Sequence, residues 1–218
     1  MARTAVRTRV LALLDRSRYP RLSQYVGTLP QGLSSFPEAK AKGSICKHLL
    51  EKHPLKDPQG LPDELVAFTS KPIASAAWVS EAACMGLHLA IGDAYQMAAG
   101  EYDRWLYEHN AGLLEGRFMF KAIMSLASPA VLMQGAAIRF NGFHLGTRLE
   151  ISSSVKNGME FHLAYPAGLY TELCLAAFRA AFQVSLDMTH AKDVRCALVS
   201  AEAAKAQFRV TWAKWEDG

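Results

Sequence analysis

The sequence contains no paired cysteines and no long apolar run. Its four cysteines lie far apart and form no CxxC motif: Cys46, Cys84, Cys174 and Cys196. This spacing favours reduced thiols in a cytoplasmic protein, and we expect no disulfides. No apolar run approaches the roughly 20 residues that a membrane-spanning helix needs. We therefore expect no membrane span.

Catalytic signatures are missing as well. Neither HExxH, GxGxxG, a P-loop nor GxSxG occurs in the chain. Hydrolases, nucleotide-binding enzymes and nicotinamide-dependent enzymes therefore have no motif in their favour. We expect a protein that is not an enzyme.

Acidic residues are scarce at the front of the chain. Residues 1–56 hold eleven Lys and Arg against three Asp and Glu, whereas residues 57–218 hold thirteen against seventeen. A basic segment can bind nucleic acid or anionic lipid. It can equally be a solvated helix face or a surface that docks on the acidic body. No recognition-helix motif accompanies the charge. Its absence favours the solvated face or the docking surface over nucleic-acid binding.

The composition is that of a folded protein, since half of its 218 residues are apolar. This length can bury a full core. Apolar residues with helical spacing predict an amphipathic helix over residues 2–17 rather than a targeting peptide. We divide the chain into a basic helical N-terminal cap, residues 1–79, and a body, residues 80–218.

Two apolar helical runs precede the first predicted strand of the body. The run from Gly116 to Ala127 is apolar on most sides, so its neighbours must surround it. Ser128 and Pro129 are typical of a helix start, and a core-facing stripe leads from Met133 to Phe140. Two glycines then turn the chain towards the strand.

The last third of the chain predicts two strand pairs around a helix. Alternating apolar residues flank Asn157-Gly158, the strongest short signal for a β-hairpin. A helix is expected over residues 167–186, and two strands over about 193–200 and 207–212. The order β-β-α-β-β behind helices predicts an α+β fold, with a helical N-terminal cap and a helical layer packed on a four-stranded antiparallel sheet.

Two segments carry a resemblance to a known family. YEHNAGLLEGRFMFKAIMSLASPAVLMQGAAIRFNGFHLGTRLEI, residues 107–151, and AKDVRCALVSAEAAKAQFRVTW, residues 191–212, resemble the 4-vinyl-reductase-type domain. Its superfamily includes haem-NO-binding domains and subunits of the TRAPP transport particle. The whole chain is more similar still to proteins of this type that are abundant in myxobacteria. The resemblance implies an apolar ligand between helices and sheet, dimerisation, and a sensory or scaffolding role.

The chain departs from this superfamily at its metal and haem sites. Asp193 and Cys196 keep one spacing of the zinc site found in phenol-sensing relatives, but Ala206 and Gln207 stand near the position of a later cysteine. The tyrosine–serine–arginine signature of the haem-NO-binding domains is absent. We therefore expect no metal, no haem and no other cofactor.

Several polar residues remain as candidates for chemistry. His144 can titrate or donate to a ligand, or simply form a local hydrogen bond to backbone. Cys84 and His88 have the i, i+4 spacing of half a metal site, although no partners cluster with them in the sequence. The segment from Cys46 to His53 is a weaker case of the same kind.

Our leading hypothesis is a small-molecule-binding, sensory regulatory domain with an apolar pocket between helices and sheet. The predicted ligand-binding residues are Phe118, Met133, Phe140, Phe143, His144, Phe161 and Tyr170. The alternative is a protein-interaction scaffold with a filled core, and a weaker one is nucleic-acid binding through the arginine-rich front. A homodimer is expected from the resemblance and from three tryptophans in segments that need not be buried: Trp78, Trp105 and Trp215.

Overall fold

The computed structural model describes residues 14–115, 135, 138–155, 157–189 and 191–215. Their packing separates two compact units. The chain up to Ala98, together with His144–Gly146, forms unit 1, and Ala99–Phe143 with the chain from Thr147 onwards forms unit 2. The predicted division between residues 79 and 80 remains a prediction about independent domains.

Unit 1 is mainly helical. Its helices are α1 (Pro20–Thr28), α2 (Gly43–Lys52), α3 (Asp63–Ser70) and α4 (Glu81–Ala94), and its strands are β1 (Pro30–Leu33), β2 (Lys40–Lys42), β3 (Trp78–Ser80) and β4 (His144–Leu145). The last three strands form an antiparallel sheet in the order β3-β2-β4. Ala41 in the central strand pairs with His144, so two residues from late in the chain complete this sheet.

The core of unit 1 is organised around α4. Ser80 caps this helix, because its side-chain oxygen accepts a hydrogen bond from the backbone N–H of Ala83 at 3.2 Å. Every residue from Glu81 to Asp93 is buried. A helix that is buried on all sides must be surrounded by other elements. Here α1, α2 and α3 all contact it.

Unit 2 contains the predicted four-stranded sheet. Its helices include α5 (Ala99–Glu115) and α6 (Glu172–Asp187), and its strands are β5 (Arg148–Val155), β6 (Gly158–Ala164), β7 (Ala191–Lys192), β8 (Arg195–Ala201), β9 (Lys205–Thr211) and β10 (Lys214–Trp215). The main sheet has the antiparallel order β5-β6-β9-β8, and β7 pairs with β10. The β-β-α-β-β order and the α+β fold are confirmed. Asn157, with φ of 60°, provides the left-handed turn of the predicted hairpin.

One face of this sheet is buried and the other is wet. Alternate side chains of β5, β6 and β9 form the buried face: Leu149, Met159, Phe161, Leu163, Phe208 and Val210. On the wet face, Glu160 accepts a hydrogen bond from Arg209 at 2.6 Å. Ile151 lies two residues after Leu149 on β5 but is 39% exposed, next to a register shift in that strand. Helix α6 contacts β8 and β9 and also packs on α5.

Several predicted helices lie wholly or largely outside the described residues. The run 116–127 is one of them, and of the helix expected over about 129–141 only Gly135 and residues 138–141 are described, all of them helical. Of the helix expected over residues 2–17, only residues 14–17 are described, and they form a bend and a turn. Among the described helices, none is both long and apolar enough to cross a membrane.

Candidate functional site

The predicted ligand-binding residues do not all fall in one described site. Phe118 and Met133 lie outside the described residues. Phe140, Phe143, Phe161 and Tyr170 belong to unit 2, whereas His144 belongs to unit 1. The predicted pocket therefore stays a prediction, and we describe the surroundings of each remaining residue in its own unit.

Aromatic rings occupy the interior of unit 2 around Phe178. The centroid of this ring lies 5.0 Å from that of Tyr170 and 6.0 Å from that of Phe140. Tyr165 extends the chain of rings, with its centroid 4.8 Å from that of Tyr170. These edge-to-face and tilted arrangements are favourable contacts between side chains of the protein itself. Four described rings of unit 2 therefore form one continuous aromatic cluster.

Phe161 belongs to a second aromatic cluster, beneath the sheet. Its ring centroid lies 4.5 Å from that of Phe182 on α6 and 5.6 Å from that of Phe208 on β9. Helix α6 and the main sheet therefore meet through close ring contacts. Phe143, by contrast, is half-buried and follows the last described helical turn before β4.

His144 contacts a carboxylate that sequence reasoning missed. Its Nδ1 lies 2.9 Å from Oε2 of Glu81, the first residue of α4. Glu81 is fully buried, and its Oε1 has no hydrogen-bond partner among the described residues. A buried histidine–carboxylate pair fixes the orientation of the ring. Since 63 residues separate the two, no local pattern could have revealed the pair.

The turn after His144 holds the pair in place. Gly146 adopts a φ of 72°, and a Cβ added there would lie 2.8 Å from the carbonyl oxygen of Glu38. Only glycine fits such a close backbone approach in the left-handed region. The short strand β4 is therefore seated tightly against the segment before β2.

Cys46, Cys84 and His88 form a buried cluster in unit 1. Nδ1 of His88 lies 2.9 Å from the carbonyl oxygen of Cys84, one turn earlier on α4. A hydrogen bond with Cys46 and burial raise the pKa of the Cys84 thiol well above its usual value. Burial alone would lower the pKa of His88, but hydrogen bonds with Cys84 outweigh it and the pKa is raised. A thiol of this kind is neither a good nucleophile nor a ready metal ligand.

No group of three metal-ligating side chains occurs among the residues that the structure describes. Cys196 is half-buried on β8, and burial raises the pKa of its thiol to about 12. The described cysteines are best explained as small packing residues.

Unit 1 carries a groove that the sequence did not predict. Its volume is about 440 Å³, and its lining comes from the second half of α2, the loop after it, and the end of α3 with the residues that follow: Lys47, Leu50, Glu51, Pro54, Leu55, Phe68, Thr69, Ser70, Lys71, Pro72 and Ile73. Binding sites for small molecules have volumes of roughly 300–1,000 Å³ and mostly apolar walls. This groove meets both conditions.

The polar groups that line the groove differ in whether other groups of the protein already pair or hydrogen-bond with them. Lys47 and Glu51 pair on α2 at 3.7 Å. The hydroxyls of Thr69 and Ser70 both donate to the carbonyl oxygen of Val66, at 2.9 and 2.8 Å. Lys71 is exposed and forms no ion pair with any described residue. The groove therefore combines an apolar lining with one cation that has no acidic partner there.

Some arginines of the basic N-terminal segment form ion pairs within unit 1. Arg18 donates to a carboxylate oxygen of Asp57 at 2.6 Å, and Arg21 donates to Asp93 at 3.1 Å. Arginines engaged in this way are less available to phosphates. Three further arginines, Arg3, Arg7 and Arg9, lie outside the described residues.

Solved structures share this fold. The chain matches an H-NOX domain from work on the mechanism of H-NOX activation with a TM-score of 0.53 and 10% identity, over 82% of this chain and 99% of that one. It matches an oxygen-binding H-NOX domain related to soluble guanylate cyclases with a TM-score of 0.51 and 11% identity, over 79% and 93% of the two chains. No family model and no curated protein matches the sequence. The likeness establishes an H-NOX-like α+β fold.

Two arginines of the main sheet are not placed to hold the haem that occurs in the H-NOX family, because both pair with carboxylates at the surface. Haem requires an axial ligand and polar partners for its propionates. The sequence has no Tyr-x-Ser-x-Arg pattern. At the start of the sheet, Arg148 lies at the surface 3.7 Å from Glu150, and Arg209 pairs with Glu160 on the wet face.

Proposed function

We propose that this protein is a non-enzymatic sensory module that binds a small apolar molecule and alters its contacts with a protein partner or a second copy. The groove of unit 1 is the observation that carries the proposal. Its volume of about 440 Å³ and its apolar lining suit a small molecule. Binding would act by favouring one of two packings, so its effect would equal the difference in affinity between them.

The H-NOX-like fold supports this proposal at the level of architecture only. One neighbour of known structure binds oxygen. Sensory roles are therefore compatible with the fold, although a fold alone does not determine function. The finer likeness to proteins of myxobacteria, and the cytoplasmic location, are parts of the proposal.

A protein-interaction scaffold is the second candidate, and the rings of unit 2 favour it. Phe178 contacts both Phe140 and Tyr170 in the interior. Close ring packing of this kind is typical of a core that the side chains of the protein fill themselves. Under this alternative the groove would be incidental, and purified protein would carry no small molecule.

Native mass spectrometry of freshly purified protein tests the proposal, because one spectrum reports both stoichiometry and bound molecules. We expect a mass above the denatured chain mass and release of an apolar compound on denaturation. Two variants locate it. Ser70→Trp would fill the groove, whereas Phe140→Trp would fill the pocket predicted from the sequence.

The variants give distinguishable results. Loss of the compound in Ser70→Trp but not in Phe140→Trp supports the groove, and the reverse supports the predicted pocket. Both results uphold a ligand-binding module. Protein that carries no compound, and binds none from a panel of small apolar molecules, would overturn the sensory proposal in favour of the scaffold. Circular dichroism of each variant verifies that it is folded.

A further inference from the structure

We infer that the groove of unit 1 takes an amphipathic anion, a small aliphatic or aromatic carboxylate whose head group binds Lys71. This inference rests on the proposed function and names the class of its ligand. The lining divides into an apolar set, represented by Leu55, Phe68 and Ile73, and a small charged set. A molecule that is apolar along its length and charged at one end matches this division.

The charged set selects the sign of the head group. Lys47 and Glu51 largely neutralise each other through their contact at 3.7 Å. Lys71 then leaves the groove with one positive charge that no described acid balances. A carboxylate there gains a charge-assisted hydrogen bond, whereas an ammonium group would meet a like charge.

Lys71 has one competing role, which is to compensate the negative end of helix α3. The helix ends at Ser70, and Lys71 is its C-cap residue. Cations are favourable at this end of a helix. However, the carbonyl oxygen of Val66 already accepts hydrogen bonds from the hydroxyls of Thr69 and Ser70. The lysine is therefore not needed to satisfy that carbonyl, and its ammonium group is available to a ligand.

The apolar set provides the affinity. Leu55 is 6% exposed and forms a buried part of the lining, while Leu50, Phe68 and Ile73 are half-buried. Half-buried apolar side chains gain most when a guest removes their remaining surface from water, at about 25 cal/mol per Å². The carboxylate then orients the guest, as the few polar groups of a ligand site usually do.

Isothermal titration calorimetry with three matched amphiphiles tests the inference. Octanoate, octanol and octylammonium have the same alkyl chain with a negative, neutral and positive head group. We expect octanoate to bind more tightly than octanol by roughly fivefold, the size of one partly exposed ionic contact. Octylammonium should bind more weakly than octanol.

Three variants assign the effect to the groove. Lys71→Glu should reverse the order, so that octylammonium binds more tightly than octanoate. Lys52→Gln removes an exposed lysine of α2 that does not line the groove, and it should leave all three affinities unchanged. Ser70→Trp should abolish binding of all three by filling the apolar space.

The outcomes separate the ligand class from the proposed function. Equal binding of octanoate and octanol, unchanged in Lys71→Glu, would overturn the carboxylate inference but retain an apolar ligand in the groove. Binding that survives in folded Ser70→Trp would place the site elsewhere and overturn the inference. If none of the three amphiphiles binds to the wild-type protein, the groove is not a ligand site and the proposed function loses its main support.

Discussion

Asp93 lies on α4 but caps the N-terminus of another helix, α1. The residue before α1, Tyr19, offers no capping side chain, but Oδ2 of Asp93 on α4 accepts a hydrogen bond from the backbone N–H of Leu22 at 3.0 Å. Its other oxygen accepts one from Arg21. This single carboxylate therefore caps α1 and ties it to α4.

Replacing Asp93 should destabilise unit 1. Asp93→Ala removes the cap and leaves Arg21 without its carboxylate, so we expect the free energy of unfolding to fall by about 1–3 kcal/mol. Asp93→Asn keeps an oxygen for Leu22 and should cost less. Urea unfolding at neutral pH measures both, and an unchanged midpoint in Asp93→Ala would contradict this role.

Asp93 also gives the stability a pH dependence of defined sign. Burial raises the pKa of Asp93 above its ordinary 3.8, although its hydrogen bonds oppose the shift. The folded state therefore holds this proton more tightly than the unfolded chain. The stability that the folded state gains from this more tightly held proton is fully present below pH 3.8. It is lost as the pH rises through the raised pKa of Asp93. Asp93→Asn should lack this component of the profile.

Cysteine reactivity tests whether the thiols are packing residues. Burial raises the pKa of Cys196 to about 12, so almost no thiolate is present at pH 8. The other three cysteines are buried. We expect native protein to resist iodoacetamide at all four positions, while urea-unfolded protein reacts at all four. Rapid alkylation of Cys196 in native protein, seen by peptide mass spectrometry, would show that this account of the thiol is wrong.

At the scale of elements, Gln183 protects an edge of the main sheet. Strand β8 lies at that edge. The side-chain oxygen of Gln183 on α6 accepts a hydrogen bond from the backbone N–H of Cys196 at 2.7 Å, and its amide donates to the carbonyl oxygen of Val194 at 2.8 Å. The side chain thus satisfies two edge groups that a further strand would otherwise pair with.

Removing this side chain should loosen β8. In Gln183→Ala the amide hydrogen of Cys196 loses its acceptor, and we expect it to exchange with solvent at least tenfold faster, corresponding to about 1.4 kcal/mol. Gln207→Ala is the matched control, since the amide of Gln207 donates to Glu160 on the wet face. Equal exchange at Cys196 in both variants would contradict the protective role.

The elements that sequence reasoning located are those specified by neighbouring residues. The hairpin at Asn157 is specified by a local signal, and it is present. The helix after Pro166 begins at Glu172 rather than near residue 167. Gly168 adopts a φ of 85° and its N–H donates to the carbonyl oxygen of Ala203, which is a contact with a distant turn. Tertiary contacts of this kind shift element boundaries.

The candidate site was harder to predict, because distant residues build it. Leu50 and Phe68 reach the groove from separate helices, and Lys71 follows the second of them. None has a distinctive sequence pattern. The pair of Glu81 and His144 also depends on a long-range strand contact, in which β4 joins β2. Periodicity identifies a buried face but not which faces meet.

At the scale of the whole molecule, the exposure of the tryptophans and the edges of the main sheet limit which surface the expected homodimer could use. Trp105 is 6% exposed and cannot drive association, whereas Trp78 is 37% exposed at the edge of the small sheet of unit 1. Both edge strands of the main sheet carry a register shift, near Ile151 and near Leu198, which disfavours pairing of sheet edges.

We therefore expect any dimer to use another surface, with Trp78 as a candidate contact. Light scattering at tens of micromolar should give twice the chain mass of 23.9 kDa. Trp78→Ala should lower that mass towards the monomer. A monomer in the wild-type protein at this concentration would count against dimerisation.

Amide chemical shifts locate a bound ligand most directly, and they therefore test whether the groove of unit 1 is a ligand site. We would titrate octanoate into ¹⁵N-labelled protein and follow its ¹H–¹⁵N correlation spectrum. We expect saturable shifts concentrated at Leu50, Leu55, Phe68 and Lys71, and we expect these shifts to be lost in Ser70→Trp. Shifts confined to unit 2, around Phe140 and Tyr170, would contradict this expectation and return the ligand site to the pocket predicted from the sequence.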